Sequence, residues 1–185
     1  MKAQVLINNA GISQFDAIHN ISETQFRQAM EVNLLAPMCL TRDFLQLETG
    51  HHKTVVNVGS ALGSIGFPFY SSYCASKFGL RGFSEALSRE LAQSDDNILY
   101  FAPRATQTPM NTEAVNAMNR QFGNAVDSPQ AVALALVNQL EKGTLRAGIG
   151  WPEQIFAKVN ALLPQLVDSI LSKKLKNISQ FVRSH

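Results

Sequence analysis

A chain of 185 residues with 45% apolar and 16% charged side chains is long enough to bury one domain core and is not compositionally disordered. A net charge of +2 offers no concentrated basic footprint for nucleic acid, and two cysteines, Cys39 and Cys74, are too few for a disulfide framework and lack metal-ligand spacing. No apolar run reaches bilayer length, and the opening MKAQVLINNAG lacks the apolar stretch and cleavage site of a secretory signal, so the expectation is a cytoplasmic protein with reduced thiols and chance sequons at Asn20 and Asn177.

The segment QVLIN at 4–8 reads as a buried strand that stops at the turn Asn-Asn-Ala-Gly. Ser22 and Gln25 form a capping box for a helix running to about Leu47, bent where it passes Pro37. TVVNV at 54–58 is a second buried strand, followed by a Gly- and Ser-rich loop over 59–72 and a helix from about Tyr70 to Ala92. NILYFA at 97–102 is a third strand, ending at Pro103. Asp127-Ser128-Pro129 caps a helix near 128–141, and LRAGIG at 145–150 is a short fourth strand. Beyond Trp151 apolar residues recur in helical steps of three and four, broken only by Pro164, and Lys158, Lys173, Lys174, Lys176 and Arg183 are assigned to the opposite face. Two amphipathic helices follow from that pattern. They pack on the domain or on a partner subunit, or they lie on an anionic membrane surface.

Strands alternating with helices imply an α/β fold with a parallel sheet and right-handed crossovers. Ligands of such sheets sit beyond the carboxyl ends of the strands, where Asn8, Ser60 and Pro103 fall. The chain divides into a domain over 1–150 and a helical extension over 151–185.

Between Asn57 and Leu80 the sequence reads NVGSALGSIGFPFYSSYCASKFGL. Tyr73 and Lys77 stand at i and i+4 on the predicted helix and share a face. An ammonium near a phenol favours the phenolate, so the pair can exchange a proton with a carbonyl or alcohol. Ser60 on the preceding loop can hydrogen-bond the same oxygen. A Tyr-x-x-x-Lys pair alone is also what a plain surface helix can carry.

Four motifs in order narrow the reading. NNAG at 8–11, VNLLAP at 32–37, NVGSALG at 57–63 and YCASK at 73–77 together resemble the classical branch of the short-chain dehydrogenase/reductase family, over Val5 to about Thr108. The resemblance implies the C-terminal part of a Rossmann-like, doubly wound parallel sheet with about four strands and flanking helices. It implies an NAD(P)-dependent oxidoreductase interconverting a carbonyl and an alcohol, with NADP taken first between the two cofactors. Tyr73 is then the acid/base. Lys77 lowers its pKa and holds the nicotinamide ribose. Ser60 orients the carbonyl, and Asn33 anchors a water in a proton relay. Asn9, Ala10 and Gly11 line the adenosine side of the cofactor, while Pro103, Thr106 and Thr108 hold its nicotinamide end. Asn33 could instead satisfy backbone groups in a bent helix, and Asn8 is read as bracing the turn. A nucleophile elbow is rejected, because Val58 and Leu62 stand where Gly-x-Ser-x-Gly needs glycines.

Two departures from the family stand out. Arg104 replaces the usual glycine after Pro103, and no Gly-rich turn precedes VLINNAG. The expectation is therefore a truncated form, with Val5, Leu6 and Ile7 on an unpaired apolar edge. The rival reading is a catalytically inactive remnant that binds a protein or a membrane. Phe67, Phe69, Met110 and Met118 point to an apolar substrate pocket, and the helices near 23–47 and 70–92 to a homo-oligomer.

Overall fold

The computed structural model describes residues 3–48 and 50–182. Four strands, β1 (Val5–Asn8), β2 (Thr54–Val58), β3 (Asn97–Ala102) and β4 (Arg146–Gly148), form one parallel sheet in the order β1-β2-β3-β4. The registers Ile7 to Val56, Val56 to Leu99 and Phe101 to Ala147 align the carboxyl ends of the strands on one rim. Among the described residues there are seven α-helices: α1 (Glu23–Met30), α2 (Ala36–Leu45), α3 (Ser71–Glu90), α4 (Glu113–Phe122), α5 (Pro129–Lys142), α6 (Trp151–Leu162) and α7 (Pro164–Ser179).

The central strands are buried on both faces, as their unbroken apolar runs require. Val56, Leu99 and Phe101 pack against α5, while Val55 and Ile98 meet Phe44, Leu87 and Leu91 on the other face. Among the described residues β1 pairs only with β2, and Val5 and Ile7 are 46% and 45% exposed. The apolar edge expected from the sequence is therefore present.

The capping box forms as read: Gln25 N–H donates to the Ser22 hydroxyl at 3.3 Å, and Ser22 N–H donates to the Gln25 side chain at 2.8 Å. The expected bend is a π-turn over Glu31–Leu35 that joins α1 to α2, where Ala36 N–H reaches back five residues to Glu31. Its cause is chemical. Pro37 has no N–H to give to the carbonyl of Asn33, four residues earlier, so the regular ladder cannot continue there.

Helix α4 lies where the sequence reading assigned no element. Thr112 caps its start by accepting from Val115 N–H at 3.4 Å, and Gly123 ends it with a left-handed φ of 63°. The last two helices pack on the domain through the fully buried Val167 and Ile178, and Asn160 donates to Ser64 O at 3.0 Å. Lys174 corrects the expected polar face: it lies one turn from both Ile170 and Ile178 on the stripe of α7 that faces a cavity. Arg183 lies outside the described residues.

Candidate active site

The carboxyl rim of the sheet opens onto a cavity of about 640 Å³. Its location follows from the topology, since loops leaving the ends of parallel strands must splay there. Ser60 enters from the loop after β2, Tyr73 from the first turn of α3, and Lys77 from the next turn. All three line the cavity, together with Asn9, Gly11, Pro103, Thr106 and Thr108. Two of the sequence-assigned residues do not. Ala10 is exposed outside the wall, and Asn33 is fully buried behind Gly11.

The Asn33 side chain is committed. Its amide accepts from Ile12 N–H at 2.8 Å and donates to Ile12 O at 2.8 Å and to the Ser76 hydroxyl at 3.0 Å. It clamps the turn after β1 to α3. Asn8 is also a brace, as expected, donating to Asn57 Oδ1 at 2.8 Å and Thr41 Oγ1 at 3.0 Å. Asn57 passes the network on to Ser84 at 2.9 Å. A buried polar chain of this kind fixes one register because each broken link would leave an unpaired group.

Lys77 is only 4% exposed, and its ammonium donates to the Val58 carbonyl at 2.9 Å. Burial lowers its pKa from 10.5 to about 8. The Lys77 nitrogen lies 5.9 Å from the centre of the Tyr73 ring. The sequence reading expected this cation to pull the tyrosine's pKa down. Instead burial holds Tyr73 above its ordinary value, and the hydrogen bond with Ser60 opposes that rise without reversing it. The reason is spatial: desolvation acts on the phenol directly, while the ammonium is directed to a carbonyl of β2.

Behind the serine loop stands Tyr100 of β3, whose pKa burial pushes up to about 12 against the opposing influence of the Ser60 backbone. Gly59 and Gly63 are glycines because a Cβ on either would collide with the Tyr100 hydroxyl. Nothing in the sequence pattern pointed to this contact, since residues 59 and 100 meet only through the β2–β3 pairing.

Arg104 has a structural partner. It makes a two-pronged pair with Asp127 at 2.9 and 2.8 Å and lies 3.8 Å from Glu153, and its φ is not positive. The arginine therefore fits where the family's glycine stands, and it ties the loop after β3 to the starts of α5 and α6. Of the aromatic and methionine residues expected to face substrate, Phe67, Met110 and Met118 line the cavity. Phe69 does not: at a φ of 65° it packs edge-on against Phe15, with ring centres 6.1 Å apart. The opposite wall comes from Val115 of α4 and from Ile170, Lys174 and Ile178 of α7, and sequence reasoning missed only the α7 part. The spacing 170, 174, 178 was the available signal.

The cavity lining is mixed. Gly11 faces the Lys77 ammonium and Met110, while α4 and α7 bring Val115, Met118, Ile170 and Ile178 together with the polar Asn119 and Lys174. A side chain at position 11 would press on Asn33 Oδ1 at 3.3 Å and on the Lys77 nitrogen at 3.6 Å, so glycine keeps that cradle open. The donors of Lys77 beyond its single carbonyl bond suit a ribose diol, and the arrangement fits a nicotinamide dinucleotide.

Fold and site together define a Rossmann-like α/β domain. The family model described as short chain dehydrogenase matches residues 2–119, and the chain belongs to that family. It is 32% identical over 145 residues to Nodulation protein G of Rhizobium sp. (strain N33), covering 73% of this chain and 59% of that protein. It is 30% identical over 188 residues to Dehydrogenase/reductase SDR family member 7B of Xenopus laevis, covering 95% and 57%. The chain thus spans little more than half the length of these curated relatives. Among solved structures, a short-chain dehydrogenase from Burkholderia cenocepacia J2315 in complex with NADP superposes with a TM-score of 0.74 at 25% identity, over 91% of this chain and 68% of the other. A 4-hydroxyisoleucine dehydrogenase complexed with NADH and succinate shares the fold, with a TM-score of 0.70 at 21% identity over 80% and 65%.

Proposed function

We propose that the chain carries the catalytic site of an NAD(P)-dependent short-chain dehydrogenase that interconverts a carbonyl and an alcohol, with Tyr73 as the acid/base. The observation that carries this reading is the convergence of Ser60, Tyr73 and Lys77 on one cavity wall next to the open cradle at Gly11. Neighbours solved with NADP and with NADH support the cofactor class. Such a dinucleotide would be held by Lys77, Asn9, Gly11, Pro103, Thr106 and Thr108, and would supply or accept the hydride.

Tyr73 is held protonated near neutral pH, so it enters reduction as an acid, donating its phenolic proton to the substrate oxygen. Ser60, already hydrogen-bonded to Tyr73, donates to the same oxygen and fixes it within reach. Lys77 places its charge beside the phenol and stabilises the phenolate once the proton has left. Asn33 contributes through its main chain: its side chain is occupied with Ile12 and Ser76, while its carbonyl lacks the i+4 donor that Pro37 cannot give. That carbonyl is the acceptor for a water that returns a proton through Lys77. Exposed Leu35 and Leu40 at the start of the α2 segment and Phe78 on α3 support self-association through those helices.

The test is titration of NADH and NADPH into the purified chain, followed by a carbonyl screen with wild type and Tyr73→Phe. Turnover that survives in the phenylalanine variant would sink the assignment.

A further inference from the structure

The apolar part of the cavity narrows the substrate, given the function proposed above. Ile65, Phe67, Val115, Met118, Ile170 and Ile178 form its wall. Four charged side chains line the cavity as a whole: Lys77, Arg104, Glu153 and Lys174. Lys77 belongs to the reacting end. Arg104 pairs with Asp127 and Glu153, a cluster that carries one net negative charge. Lys174 remains. It has no ion pair among the described residues, it sits between Ile170 and Ile178 on the inward stripe of α7, and its ammonium lies over the ring of Phe122 at 5.6 Å. A lysine on an apolar wall, held by a ring face, keeps its charge at the rim while its stem covers apolar surface. The cavity therefore joins Ser60, Tyr73 and Lys77 to apolar side chains of α4 and α7 and to one cation that has no ion pair among the described residues.

We propose that this cavity takes an elongated apolar carbonyl compound with an anionic group at the end remote from the carbonyl, and that Lys174 is its counter-ion. Each added methylene buried along the wall strengthens binding about fourfold until the wall is covered. The ion pair at the partly exposed rim adds about fivefold at low salt and fades as salt is raised.

Binding can be read without turnover. The fluorescent probe 1-anilinonaphthalene-8-sulfonate is titrated into the full chain and displaced by dodecanoate, by dodecanol and by butanoate. The expected order is dodecanoate, then dodecanol about fivefold weaker, then butanoate without measurable displacement. Lys174→Gln brings dodecanoate down to the level of dodecanol. Met118→Trp, which fills the wall, weakens both long ligands at least tenfold. Ile170→Trp, at a less buried position, serves the same purpose should Met118→Trp not fold. Equal displacement by dodecanoate and dodecanol in wild type overturns the proposal, as does displacement that neither tryptophan variant changes.

A parallel series of ω-oxo carboxylates of increasing length, supplied with NADPH or NADH, separates the two readings. Short polar carbonyls reduced faster than long ones overturn the substrate class and leave the reaction standing. Long anions bound as expected, with no carbonyl of any kind reduced, support the site and refute the reaction.

Discussion

Replacing Lys77 by Met should make the protein more stable at pH 7 while abolishing its chemistry. The fall of the Lys77 pKa from 10.5 to about 8 corresponds to about 3 kcal/mol of destabilisation from burying the charge. Methionine matches the length of the stem but cannot donate to the Val58 carbonyl, which forfeits about 1 kcal/mol. The net expectation is a gain of about 2 kcal/mol, or about 4–8 °C in Tm for a chain of this size. The sign reverses with pH. Between about 8 and 10.5 the unfolded chain binds a proton at Lys77 that the folded chain does not, so wild-type stability rises with pH through that window. The advantage of Lys77→Met should shrink over it and vanish by about pH 10.5. Cys74, Tyr70 and Tyr100, whose raised pKa values do not depend on Lys77, ionise late in both proteins and cancel in the difference. Thermal unfolding followed by circular dichroism at a series of pH values is the assay. A variant less stable than wild type at pH 7, or a gap that does not change from pH 8 to 10.5, would refute the reasoning.

Tyr73→Phe should lower turnover by a factor of about 10³, within the usual range for losing a general acid, while dinucleotide titration gives an unchanged Kd. The pH profile of kcat/KM for carbonyl reduction should fall as pH rises through about 8, because Lys77 loses its charge there; a flat profile from pH 7 to 9 would remove it from the mechanism. Gly59→Ala should destabilise the fold by several kcal/mol through collision with Tyr100, and Tyr100→Val should restore most of the loss, which a double-mutant cycle by urea unfolding would read. Pro37→Ala should let Asn33 regain a backbone donor and should slow proton return in kcat more than it changes KM.

Much of the frame was legible because it is written in local patterns. The apolar runs at 4–8, 54–58 and 97–102 have the length and branching of strands buried on both faces, and the structure forms strands there. The capping box at Ser22 and the break at Pro37 were readable because a donor's presence or absence is a property of one residue. Helix α4 was not seen, although Thr112 and Gly123 bracket it, because ten residues between two loops carry too short a period to stand out. Most of the residues named by motif line the cavity, though Ala10 and Asn33 do not, and the electrostatics of the site were not legible. Whether a phenol gains more from a neighbouring ammonium than it loses to burial depends on distances that only the fold sets. The same holds for Arg104, whose partner Asp127 lies 23 residues away.

The raised pKa of Tyr73 changes what the site is prepared to do. A tyrosine drawn down toward neutrality would serve alcohol oxidation and carbonyl reduction alike, because both protonation states would be populated. A tyrosine held above its ordinary value is almost wholly protonated near neutral pH, and so is ready to give a proton rather than take one. The residues around it hold that state. Tyr70 packs beside the ring at 5.9 Å, and Cys74 one position on is itself buried with its thiol pushed up. The hydrogen bond with Ser60 lowers the phenol, and in the proposed reaction Ser60 must turn to the substrate oxygen. When Ser60 turns away, Tyr73 loses that stabilisation of its phenolate until the proton has moved. Under the function proposed for the site, these residues prepare Tyr73 to give a proton, and the reverse step needs Lys77 charged beside a phenol whose ionisation burial opposes.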